Sequence, residues 1–170
     1  MGLRSLIRLS VVLTLCRILF SGPSLYAGEE GSPYLLVDKQ ALTLTYYDET
    51  GHSVITYGIS CGDHWGNKQS RGDRKTPEGT FHITQILNSR GIPHDFRDGK
   101  GRIRNAYGPW FFRLDVPGFH DIGIHGTHLP GSIGTRSTEG CIRMRNEDIL
   151  ALQPYVFLGM TVIILPDKTD

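Results

Sequence analysis

Charge of one sign is what this 170-residue chain most lacks: 18 Lys and Arg stand against 17 Asp and Glu, for a net charge of +1. A phosphate-binding domain normally carries a strong basic excess, so nucleic acid is excluded as an expected partner. Internal repeats and low-complexity segments are missing. The length suits one globular domain with a single sizeable core and is too short for two. Long apolar runs are limited to one, from Leu9 to Phe20, which is short for a bilayer span of roughly 20 residues. Cysteine is scarce, at three residues, whereas Gly (21) and Pro (9) are plentiful and point to a turn-rich fold.

The apolar run has a processing logic. Arg4 and Arg8 precede it, a Ser/Gly/Pro stretch follows, and Ala27 stands before Gly28-Glu29-Glu30. A positive end, an apolar middle and a small residue ahead of an acidic start form a secretory signal. Residues 1–27 are therefore read as a signal peptide, with an uncleaved anchor as the alternative, 28–33 as a linker and 34–167 as the single folded domain. The expected location is outside the cytoplasm, in the periplasm or cell envelope. Export leaves Cys61 and Cys141, a pair that invites a disulfide, although the setting of Cys141 argues against one.

The rest reads mostly as strands. Tyr34–Val37 is a short apolar run; Leu42, Leu44 and Tyr46 alternate with polar neighbours, as do Ile55, Tyr57 and Ile59, and later Trp110, Phe112 and Leu114. That period of two marks half-buried strands. Thr76-Pro77-Glu78-Gly79 carries turn chemistry. Asp121–Ile124 is a short strand ending at His125, and Met160–Leu165 is the last strand. One helix is legible, with Asn146 as its N-cap and Pro154 as its stop. Residues 88–108 form a long loop without periodicity, which in a small domain is usually functional and is read here as a lid. The fold class is mainly β, a β-sandwich of mixed sheets or partly closed barrel, with one or two short helices.

Chemistry concentrates between Ile122 and Asn146. Gly140 before Cys141 permits a positive φ, which directs the N–H groups of Gly140 and Cys141 toward a developing oxyanion. Arg143 adds positive charge that favours thiolate. His125, at a strand end and flanked by Gly126, is the base, brought close by a glycine-rich hairpin between Leu129 and Arg136. Taken alone, such a Cys and His are more often a small buried hydrophobe and a satisfied polar side chain.

The ordered motifs His125-Gly126-Thr127, Ser132-Ile133-Gly134 and Gly140-Cys141-Ile142-Arg143-Met144 resemble the signature of the bacterial L,D-transpeptidase family. Thr76–Phe81 and Gly159–Val162 resemble its other recurring segments, so the similarity spans Tyr34 to Pro166. The resemblance implies a β-sandwich, Cys141 as nucleophile and His125 as proton carrier. It implies orienting or oxyanion roles for Gly140, Gly126 and Thr127, and substrate contacts from Arg143, Ser137, Thr138 and Tyr107, with Arg143 equally placed to brace the loop instead. Peptidoglycan stem peptides are the implied partner, carbapenems the implied inhibitors, a monomer the implied state, with no cofactor and no metal. Many members have a histidine where this chain has Glu139, which puts the local pKa setting and acceptor preference in question; Ser137 stands in for the family's serine.

Three other readings remain open. An L,D-carboxypeptidase or endopeptidase would use water in place of the amine. A zinc-dependent wall hydrolase would combine His125 and His128 with His64, His94 or His120. A wall-binding module would stack sugars on Tyr46, Tyr47, Tyr107 and Trp110. Cys61 is read as an unpaired strand residue, with a redox lock on Cys141 as the alternative.

Overall fold

The structure is a computed structural model that describes residues 31–168. Residues 1–27, read as a signal peptide, and the first half of the linker, 28–30, lie outside them. Among the described residues no helix is long and apolar enough to cross a membrane.

The strands are β1 (Tyr34–Asp38), β2 (Thr43–Tyr47), β3 (Ser53–Gly62), β4 (Gly79–Asn88), β5 (His94–Asp95), β6 (Arg102–Ile103), β7 (Trp110–Leu114), β8 (Gly123–His125), β9 (Arg136–Thr138), β10 (Ile142–Met144) and β11 (Thr161–Ile164). The main sheet runs β10-β8-β7-β4-β11-β1-β2-β3-β9, and an added β10–β3 pairing closes it. Two ten-residue strands make closure possible. The first half of β3 pairs with β2, while Ile59 and Ser60 pair with β10. Likewise β4 pairs with β11 over Gly79–His82 and with β7 beyond Ile83, where a register shift bends it. The result is a β-sandwich whose two layers share their long strands, a flattened barrel with few free edges to template aggregation.

The core lies between the layers, where Leu35, Leu44, Ile83, Phe112, Ile124, Ile142 and Val162 are buried. Each fully buried aliphatic or Phe side chain contributes about 1.5–3 kcal/mol. Tyr46 belongs to this core and Trp110 packs against it, while Tyr47 stacks on Tyr34. Alternation thus serves packing at these aromatics. Ile55 departs from its expected place: it is exposed, and β3 turns apolar inward only from Tyr57.

Thr76–Gly79 does not turn. It leads into β4 without a turn, anchored by contacts from Gly62 and Lys39. Thr76 Oγ1 accepts from Gly62 N–H at 2.8 Å. Lys39, 1% exposed, donates to the Thr76 carbonyl and pairs with Glu78 (2.6 Å) and Asp167 (3.0 Å). Arg136 completes the cluster through Asp167 at 2.5 Å.

The helix α1 spans Asn146–Leu152, with Arg145 at the cap position and no side-chain cap. Asn146 is thus its first helical residue, and its carboxamide is used elsewhere. Pro154 does not end the helix abruptly; it sits in a 3-10 turn, Gln153–Tyr155, that continues it. The expected hairpin between Leu129 and Arg136 is instead a 3-10 turn at Pro130–Ser132 leading into β9, part of a crossover between parallel β8 and β10.

Removing one partner of a buried ion pair leaves uncompensated charge. Lys39→Ala is therefore expected to lower stability by about 3 kcal/mol, read as a fall in the urea midpoint at constant slope. A change below about 1 kcal/mol would show that Glu78 and Asp167 are stable without the ammonium.

Candidate active site

Parallel pairing of β8 with β10 sets Ile142 beside Ile124 and Arg143 beside His125. The two isoleucines face the core, so alternation puts His125 and Arg143 on the other face. Cys141, one residue ahead of β10, falls on that same face. Neighbouring strands lie about 4.8 Å apart, so this register puts Cys141 at the level of Gly123, on the same face as His125 and two residues before it along the strand pair.

The loop holding Cys141 is tightly built. Gly140 has φ +130°, and a Cβ there would lie 2.7 Å from the Lys75 carbonyl oxygen, so glycine is required. Thr138 Oγ1 donates to the Cys141 carbonyl at 2.6 Å and accepts from Gly140 N–H at 3.1 Å. This revises two expectations. The Gly140 N–H is spent inside the loop rather than pointed at an oxyanion, and Thr138, buried, braces the loop rather than facing substrate. Cys141 donates its thiol proton to the Asp121 carbonyl at 3.3 Å.

His125 is 4% exposed. Its ring stacks on Phe111 at 5.6 Å and meets the edge of Tyr107 at 5.0 Å. Nδ1 lies 2.6 Å from the Gly126 carbonyl oxygen. A carbonyl only accepts, so Nδ1 carries the proton and Nε2 keeps its lone pair. The Asn146 carboxamide secures the next residue: Thr127 N–H donates to Oδ1 at 2.8 Å, and Nδ2 donates to the Thr127 carbonyl at 2.9 Å. Thr127 Oγ1 accepts from Leu129 N–H at 2.8 Å, so Thr127 acts within the turn.

Burial governs the electrostatics. It pushes the Cys141 thiol up to about 11, against smaller downward pulls from the Gly123 N–H, Arg143 and Lys68. It pushes the His125 imidazole down to about 3, opposed by the Gly126 carbonyl and reinforced by Arg143. Arg143 favours the thiolate, as its charge suggests, but desolvation outweighs it, and the resting pair is thiol and neutral imidazole. Tyr107 is also raised by burial.

A cleft of about 390 Å³ is lined by Phe96, Ile103, His128, Leu129, Ser137, Glu139 and Arg143 among others, and so borders the residues flanking Cys141 rather than Cys141 or His125 themselves. Arg143 is buried, donates to Ser132 Oγ at 2.9 Å and lies 3.5 Å from Ser137 Oγ. Its Nε has no partner, and among the described residues it forms no ion pair. Residues 94–103 contribute the small β5–β6 hairpin, so the stretch read as a lid loop contains a two-stranded element, which lines the cleft. Cys61 lies fully buried in β3 and, like Cys141, is free. Among the described residues no three His, Cys, Asp or Glu side chains converge as a metal-ligand set would. Asn146, Phe111 and Asp121 escaped sequence reasoning because their roles depend on long-range packing; the sole sequence trace was the polar Asn146 at a helix start.

The sequence profile of the L,D-transpeptidase catalytic domain (YkuD) matches residues 32–164. The chain belongs to this family. Among relatives of this L,D-transpeptidase domain, YqjB of Bacillus subtilis, itself named an L,D-transpeptidase only provisionally, is 28% identical over 140 residues, covering 81% of this chain and 74% of its own. The similarly provisional YkuD of Bacillus licheniformis is 33% identical over 135 residues, covering 79% and 67%. The fold is shared with L,D-transpeptidase 3 of Mycobacterium tuberculosis, solved with a faropenem-derived adduct, at TM-score 0.58 and 17% identity, over 79% of this chain and 60% of that one. The L,D-transpeptidase domain thus spans less than two thirds of that solved chain.

A thiol held near 11 alkylates only as its thiolate fraction grows. The rate of Cys141 alkylation by iodoacetamide, read on its peptide by mass spectrometry, is expected to rise about tenfold per pH unit between pH 7 and 10. A plateau already reached by pH 8 would mean a preformed ion pair.

Proposed function

We propose that the chain is an exported peptidoglycan L,D-transpeptidase that works as a single subunit in the periplasm or cell envelope through Cys141 and His125. The observation that carries this reading is the parallel β8–β10 register together with the Gly126 carbonyl on His125 Nδ1, which leaves Nε2 free as a base on the face that carries the nucleophile.

Cys141 Sγ attacks the carbonyl of the third residue of a stem peptide while its proton passes to His125 Nε2. A neutral pair makes this transfer part of the attack rather than a step before it. The tetrahedral oxyanion takes a hydrogen bond from the Cys141 N–H, the Gly140 N–H being engaged with Thr138. Collapse breaks the C–N bond, and the terminal D-alanine leaves with the proton from His125. The resulting thioester is then attacked by an amine of a neighbouring stem, His125 accepts that amine's proton, and the restored thiol takes it back. Arg143, a buried cation at the cleft without a carboxylate partner, binds a substrate carboxylate; Ser137 and Tyr107 shape the walls beside it. The N-terminal sequence supports export.

A thiol poised on a carbonyl should also open a strained β-lactam. Incubation with a carbapenem is expected to add the mass of one intact drug to the Cys141 peptide, in wild type and Cys61→Ser but not in Cys141→Ala. His125→Ala should slow this acylation by about 10²-fold, and muropeptide mass spectrometry should show cross-links that Cys141→Ala cannot make. Turnover surviving in Cys141→Ala, or drug released opened without capture, would sink the reading.

A further inference from the structure

The β5–β6 hairpin roofs the cleft with Phe96, Asp98, Lys100 and Ile103, yet its attachment to the nucleophile loop is sparse. Among the described residues, one hydrogen bond joins positions 94–103 to positions 136–144: His94 Nε2 to Glu139 Oε2, at 2.9 Å. The other ring nitrogen of His94, Nδ1, lies 2.8 Å from Tyr107 Oη. A carboxylate accepts only, so Nε2–H donates to Glu139, and the Nδ1 lone pair accepts the Tyr107 hydroxyl. The chain of contacts then continues, because the Tyr107 ring meets the His125 ring edge-on at 5.0 Å. Phe96 adds an apolar seat, packing against His94 at 4.5 Å and His128 at 5.2 Å.

We propose that His94 is a positioning residue, latching the hairpin to Glu139 two residues before the nucleophile and holding Tyr107 against the base. This rests on the assignment of Cys141 and His125 above. Glu139 then acts as the hydrogen-bond acceptor of the latch, and the latch sets how well the roof excludes water while an acyl group sits on Cys141. His94 and Glu139 are partly exposed, with side-chain exposures of 30% and 42%, so the effect is modest. A charge-assisted hydrogen bond in such a setting is worth roughly a threefold to tenfold change in partition.

The test compares His94→Ala, Glu139→Ala, Glu139→Gln and the double alanine variant with wild type. Each is first titrated with a carbapenem at Cys141 and checked for an unchanged melting temperature. Each is then assayed for the ratio of cross-linked to hydrolysed stem peptide and for hydrogen exchange across residues 94–103. Both alanine variants are expected to lower the ratio about threefold to tenfold, to speed exchange in the hairpin, and to raise KM for the acceptor more than they lower kcat. The double variant should be no worse than either single one. Glu139→Gln keeps an acceptor oxygen and should stay within about twofold of wild type. Additive losses, a Glu139→Gln as impaired as Glu139→Ala, or unchanged hairpin exchange would overturn the latch. Failure of wild type itself to be acylated at Cys141 would instead overturn the assignment on which the latch rests.

Discussion

The two hydrogen bonds between the Asn146 carboxamide and the Thr127 peptide constrain more of this site than any side chain that touches substrate. They tie the start of α1 to the turn after β8, fixing the direction in which the Gly126 carbonyl points. That carbonyl in turn sets the tautomer of His125. The clamp leaves no room around it: a Cβ at Gly126 or at Gly108 would collide with Asn146 Oδ1, and Gly108 also has φ +63°. Asparagine here has given up its habitual N-cap role, leaving α1 without a side-chain cap. Helix propensity yields to the geometry of the base.

The same compactness explains the charge state of the pair. Phe111 and Tyr107 enclose the imidazole, and burial is the largest cause in both directions, raising the thiol and lowering the imidazole. One pKa unit corresponds to about 1.36 kcal/mol between protonation states, and at Cys141 the downward pulls of Arg143 and Lys68 are smaller than the upward push of burial. A thiol kept neutral resists oxidation and stray alkylation, and it becomes reactive only when a carbonyl is presented and the proton can move as the bond forms.

Much of the strand content was legible because alternation is a local property: Leu35, Leu44, Phe112 and Val162 all fall inward as their spacing requires. Motif order singled out Cys141 and His125, and alternation from the β8–β10 register sets them on one face. What failed was everything decided at long range. Thr76-Pro77-Glu78-Gly79 has turn residues, yet it leads into β4 without a turn, anchored by Lys39, some forty positions earlier. The crossover from 129 to 141 looked like a hairpin because glycines signal turns but carry no information on whether flanking strands run parallel. The N–H of Gly140 looked free because the hydroxyl that takes it up, two residues away, is equally compatible with facing substrate. Ion clusters, parallel register and local hydrogen-bond competition are invisible to periodicity.

Glu139 brings these threads together. A carboxylate two positions before a nucleophile works against ionisation, and its charge does raise Cys141, though as the least of the five influences on it. An unpaired carboxylate at the mouth of the cleft would repel the anionic end of a stem peptide and compete for Arg143. Hydrogen-bonded to His94, it is turned toward the roof. Arg143 then remains the uncompensated cation of the cleft, with Ser132 and Ser137 as its neutral supports. The loss of the family's usual histidine at this position is thus matched by a histidine delivered from the hairpin, which shifts the imidazole from the nucleophile loop to the element that covers it and makes closure of the roof part of the electrostatics of the site.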